Sequence, residues 1–155
     1  MNASQKEFLS DIAEKNTIEY AVKNGNIQLL KQLIEEGAKI DNDTNNHVGR
    51  AAEGGNIEIV KYLVEKGAKI DEYTLCYAAE SGNIEIVKCL VGEGAEIGDD
   101  AVSSAARGGN IEIVKYLVEK VAKIGDGAVS CAAEGGNIEI VKYLVEKVAK
   151  IGDYA

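Results

Sequence analysis

Ala51–Ile70 reads AAEGGNIEIVKYLVEKGAKI, and the same text returns with small edits until the chain ends. Its Gly-Asn-Ile sits at Gly25, Gly55, Gly82, Gly109 and Gly136, first 30 residues apart and then three times 27. A fixed period of that size is the signature of a stacked repeat array. Within the unit, Ala51-Ala52-Glu53 ends one short apolar segment and Gly54-Gly55 interrupts it, which leaves Asn56 to cap a second helix. In that helix Ile57, Val60 and Val64, with Ile59 and Leu63, recur at three and four residues and make two adjacent apolar stripes. Glu58, Lys61 and Glu65 fall on the remaining face. The unit is a helix-turn-helix, and its apolar face can be buried only against neighbouring copies.

Composition fits such an array. With no Trp, one Phe and seven Tyr, the interior has to be filled by Ile, Val, Leu and Ala, and with no Pro the turns fall to Gly, Asn and Asp. The formal charge of −9, without a Lys/Arg cluster, argues against a nucleic-acid surface and favours a basic or neutral protein partner. Cys76, Cys89 and Cys131 are odd in number and lack CxxC spacing, so reduced structural thiols and a cytoplasmic or nuclear setting are expected. The N-terminus is too charged for a signal peptide, and no apolar run approaches a membrane span.

Taken in order, residues 1–16 are expected to form an N-terminal capping helix, with Phe8, Leu9 and Ile12 on one face. Its FLSDIAEKN is similar to the second-helix text IVKYLVEKG. Residues 17–155 then hold five helix pairs and the truncated start of another repeat. Between Ile40 and Val48 the joint DNDTNNH is three residues longer than the later ones, either a tolerated insertion or a functional loop. Gly67 and Gly94 stand where a helix is expected to end in a left-handed residue, but the equivalents Val121 and Val148 tolerate that conformation poorly. Either those helices run further or the strain lies elsewhere. The last pair carries no polar cap, so its apolar side is expected to be open, self-associated or covered.

The AAExGNIEIVKYLVEKGAKI pattern resembles the ankyrin repeat, AAxxGHLEVVKLLLxxGADV, five times across Thr17 to Val148. Its wording is most similar to the short, divergent ankyrin repeats of giant viruses of amoebae, which would place a viral chain in host cytoplasm or nucleus. Two departures stand out. The joints shrink to IDEY, IGDD and IGDG, and the TPLH tetrapeptide is replaced by TLCY at Thr74–Tyr77 or by AVSS and AVSC at Ala101 and Ala128. The resemblance implies an all-α, ankyrin-like helix-turn-helix repeat solenoid with shortened inter-repeat loops in place of long β-hairpins. It also implies a non-enzymatic protein-protein interaction module without cofactors.

No catalytic constellation emerges. His47 is the only histidine, lies in the long joint, and has no nucleophile near it in sequence; His/Cys metal spacings are absent. Tyr62, Tyr116 and Tyr143, with Cys89 and Gln32 at equivalent places, form a row expected to be half-buried over the inter-repeat seams. Positions that differ between copies are the ones available to specify a partner, and they concentrate on first helices and joints. By the ankyrin resemblance these line a concave groove. The expected partner-binding residues are Arg50, Tyr73, Tyr77, Asp100 and Arg107, with the 41–47 loop. Tyr and Arg are also frequent interface anchors. The alternative is a structural array that self-associates weakly through its uncapped C-terminal end.

Overall fold

Four of the second helices begin at an asparagine whose side chain caps them. The side-chain oxygens of Asn26, Asn56, Asn83 and Asn110 accept from the backbone N–H groups of Leu29, Ile59, Ile86 and Ile113 at 3.0–3.1 Å. The preceding glycine of each Gly-Asn pair has a positive φ, between 66° and 81°, which a residue with a Cβ adopts only under strain. Asn110 and Asn137 also donate from their amide nitrogens to Gly82 O and Ala106 O of the preceding repeat, at 3.2 and 3.3 Å. Asn110 thus both starts a helix and ties it to its neighbour.

The computed structural model describes residues 2–15, 17–40, 46–121 and 123–152. Helix α1 (Ala3–Lys15) precedes five pairs: α2 (Ile18–Lys23) with α3 (Ile27–Glu35), α4 (His47–Glu53) with α5 (Ile57–Glu65), α6 (Thr74–Ser81) with α7 (Ile84–Gly92), α8 (Asp99–Gly108) with α9 (Ile111–Val118), and α10 (Gly127–Glu134) with α11 (Ile138–Gly152). Among the described residues there is no strand, and the fold is an all-α helix-turn-helix repeat solenoid with short joints.

First helices α2, α4, α6, α8 and α10 stack closely on one another, while the second helices stand further apart. Small residues allow this: Ala51-Ala52, Ala78-Ala79 and Ala105-Ala106 are all buried. Gly108 comes so near the previous turn that a Cβ there would lie 2.5 Å from Glu80 O. From the other side, Ile59, Val60 and Leu63 are fully buried, as are Ile86, Val87 and Leu90 and Ile113, Val114 and Leu117. Each such side chain contributes roughly 1.5–3 kcal/mol. The array curves with its first helices inside, because their spacing is the tighter of the two layers.

Two expectations resolve differently at the two valines. After α5, Gly67 at φ 85° lets the chain close with Gly67 N–H to Val64 O and Ala68 N–H to Leu63 O. After α9 the helix stops at Val118 and turns through a Lys120 N–H to Leu117 O bond, so Val121 keeps a negative φ. In α11 the helix instead runs on through Val148 to Gly152. The same text ends in two ways. At α9 the chain turns at once into the joint that leads to α10.

His47 is not in a loop: it opens α4 and is buried. Residues 41–45 of the long joint lie outside the described residues. Helix α1 forms where expected but buries none of its residues. Phe8 is 64 % exposed, and Leu9 and Ile12 lie open beside it instead of seated on the first pair. The flank of α11 is open as well: Ile138 is 69 % exposed while its equivalent Ile111 is half-buried.

Asn110→Asp keeps the capping oxygen and removes the inter-repeat donor, whereas Asn110→Ala removes both. Urea unfolding is expected to show a loss of about 0.5–1.5 kcal/mol for Asp and about 1–2 kcal/mol more for Ala. Equal midpoints for the two variants would refute the double role.

Candidate partner-binding surface

On each first helix, residues four and seven positions after the N-cap region share one stripe. Tyr73, Tyr77 and Glu80 make that stripe on α6, Asp100 and Arg107 make it on α8, and Arg50 and Glu53 on α4. All five residues singled out from the sequence therefore lie on the inner face of the array. They are exposed, in contrast to the alanines one position away.

Their surroundings separate them. Arg50 Nη1 lies 3.5 Å from Glu19 Oε1 on the preceding repeat, and Arg107 Nη2 donates to Cys131 Sγ of the following one at 3.3 Å. The two arginines are held across seams. Tyr73, 55 % exposed, lines a shallow pocket of about 180 Å³ between the starts of α6 and α8, with Glu72, Cys76, Glu96 and Asp100. Tyr77, 42 % exposed, lines a second of about 250 Å³ with Glu53, Glu80 and Ser81, on the α4 side of the same helix. Sequence comparison brought out Tyr73, Tyr77 and Asp100 but missed Glu72, Glu96 and Glu53. Those three positions also vary between copies, but a carboxylate becomes part of a pocket only when two repeats stack, which the sequence does not display.

The floor of this surface is fixed by a hydrogen-bond cluster. Asp71 Oδ1 accepts from Thr74 N–H at 2.8 Å, from the Thr74 hydroxyl at 2.7 Å and from Tyr73 N–H at 3.1 Å. Asn46 Nδ2 donates to the same carboxylate at 2.8 Å while its own oxygen caps α4 through Gly49 N–H. Asp71 thereby satisfies the first N–H groups of α6, which Tyr73 at the N-cap does not, and the fully buried Thr74 holds its carboxylate in place. The Tyr73 side chain is left to point outward.

Electrostatics favour neutral forms of the polar groups here. Glu72 above all, then Asp100 and Asp71, hold the Tyr73 phenol above its usual pKa. Burial pushes the Cys76 thiol up; a hydrogen bond to Ser104 opposes this, and Asp100 and Asp71 add to it. Neither group is set up as a nucleophile, since activation needs the opposite shift. Among the described residues, no group of three or more His, Cys, Asp or Glu side chains is placed to hold a metal ion, and no helix is long and apolar enough to cross a membrane.

The outer face offers an internal comparison. Tyr62, Tyr116 and Tyr143 form the expected half-buried row, and lysines of the protein stand over them: Lys31 and Lys66 over Tyr62, Lys120 over Tyr116, Lys115 and Lys147 over Tyr143, at 4.9–5.7 Å.

Because both carboxylates and burial favour the Cys76 thiol over the thiolate, its alkylation by iodoacetamide at pH 8 should run several-fold slower than in urea-unfolded protein. Asp100→Asn should recover a small part of that difference, and peptide-level mass spectrometry reads both. A native rate equal to the unfolded one would contradict the assignment.

A family model described as ankyrin repeats in three copies matches residues 3–74 and again residues 75–154. No curated protein matches the chain. The two matched spans cover nearly all of the sequence and the helix pairs stack as the repeat requires, so the chain belongs to the ankyrin-repeat family, whose members are generally protein-protein interaction modules and typically non-enzymatic.

Proposed function

We propose that this chain is a non-enzymatic binding module that presents its inner face, with Arg50, Tyr73, Tyr77, Asp100 and Arg107, to a protein partner. The supporting observation is the pair of exposed tyrosines on α6, each at the mouth of a pocket between stacked repeats. Tyr offers large contact area at low conformational cost, and helices already fixed by their neighbours lose little further entropy on association. The acidic balance favours a basic partner. The similarity of the repeat wording to that of giant viruses of amoebae makes a host protein in cytoplasm or nucleus the one to seek. In this reading residues 17–155 are the array and residues 1–16 its terminal unit. Tyr73→Ala/Tyr77→Ala/Arg107→Ala should lower partner affinity by tenfold or more while the circular dichroism spectrum is unchanged. Capture of the same partner in equal yield by the triple variant would remove the surface from consideration.

A second reading is self-association through the open flank of α11. Ile138, Val145 and Val148 are exposed there, whereas Val118, the α9 equivalent of Val145, is buried under the next repeat. Sedimentation velocity from micromolar to near-millimolar protein should then show mass rising with concentration, and Val145→Glu should suppress the rise. A monomer at every concentration would exclude it.

A further inference from the structure

The inner tyrosines differ from the outer ones in what surrounds them. Each outer tyrosine has a lysine of the protein over its ring. The residues lining the Tyr73 and Tyr77 pockets include carboxylates and no Lys or Arg. Residues 71–83, which hold the end of the joint before α6 and α6 itself, and residues 94–100, the joint before α8 and the start of that helix, contain six carboxylic acids and no basic residue; Lys66 and Lys69 stand earlier in the joint before α6. Second helices are by contrast nearly balanced: residues 27–36, 57–66, 84–93, 111–120 and 138–150 together contain ten Glu and nine Lys. The negative charge is therefore uneven, and it collects where two aromatic faces are open.

An aromatic face beside carboxylates is a receptor for a guanidinium or ammonium group: the ring attracts the cation through its quadrupole, and the carboxylates accept its N–H bonds. On the outer face the protein supplies that cation itself. We infer that on the inner face the partner supplies it, as two basic side chains of one extended segment that crosses α6, one entering the Tyr73 pocket with Glu72, Glu96 and Asp100, the other the Tyr77 pocket with Glu53 and Glu80.

The spacing of the two basic residues follows from the helix. Tyr73 and Tyr77 are four residues apart, about 6 Å along the axis, and the two pockets open into neighbouring seams about 8–10 Å apart. The diagonal is about 11 Å. An extended chain advances about 3.3 Å per residue and alternates its side chains, so the nearest same-face fit is two basic residues four positions apart. This rests on the binding reading above and names the chemistry of its partner.

Fluorescence anisotropy with a labelled, otherwise Gly/Ser decapeptide tests it on the full chain. Three peptides are compared: arginines four apart, arginines adjacent, and both arginines replaced by glutamine. The first should bind at least about fivefold tighter than the second at equal charge, the third should not bind, and added salt should weaken the first. Tyr73→Leu/Tyr77→Leu and, separately, the isosteric Asp100→Asn/Glu80→Gln should each cost about tenfold. The outer-face pair Glu85→Gln/Glu112→Gln should change affinity less than twofold. Equal binding of the two arginine peptides, an equal loss in the outer-face variant, or no binding to the wild type at low salt would each overturn the inference. A partner lost on Tyr73→Ala/Tyr77→Ala/Arg107→Ala but indifferent to Asp100→Asn/Glu80→Gln would overturn it and leave the binding surface standing. A partner that tolerates both sets would overturn the surface itself.

Discussion

Close approach between neighbouring first helices is the constraint on which the rest of this solenoid depends. Ala51-Ala52, Ala78-Ala79 and Ala105-Ala106 leave no side chain to hold the helices apart, and Gly108 lets one turn rest against the carbonyl of the last. Because second helices carry Ile, Val and Leu at the corresponding depth, their layer has to be wider. Unequal spacing in two layers joined by short turns curves the array. The curvature in turn decides which faces of the first helices converge on a common surface.

Polar groups are placed so that this stacking has one register. The Gly-Asn turn starts α3, α5, α7 and α9 with a side-chain cap, and Asn110 and Asn137 reach back to the preceding repeat. Asn46, Asp71 and Thr74 form a comparable tie between the second and third repeats. Slipping one repeat along its neighbour would leave these groups unpaired within a partly buried seam, at a cost of about 1–3 kcal/mol each. Apolar contacts alone would tolerate such slippage far better.

The two tyrosine environments show how one residue type serves different ends in such a frame. Tyr62, Tyr116 and Tyr143 sit half-buried on the outer face with lysines above them, where the ring covers a seam and keeps the charge in water. Tyr73 and Tyr77 lie on the inner face in pockets whose charged lining residues are all carboxylates. Asp71, held by the Thr74 hydroxyl, accepts from the first N–H groups of the helix and so frees the Tyr73 side chain from capping it.

Repetition of AAEGGNIEIVKYLVEKGAKI by itself determined the helix pairs, their order, the Asn caps and the burial of the Ile-Val-Leu positions, because each of these is set by local spacing and by the need to cover an apolar stripe. It also placed Tyr73, Tyr77 and Asp100 among the positions free to vary. Where the chain repeats without change, sequence was silent: Gly109–Asp126 and Gly136–Asp153 are the same text. Yet one helix stops at Val118 and the other continues to Gly152. Only the tertiary structure decided that, since a helix end depends on what packs beyond it. It likewise decided that His47 is buried, that the apolar face of α1 stays open, and that carboxylates from two different repeats share a pocket. Each is a relation between residues that local spacing does not encode.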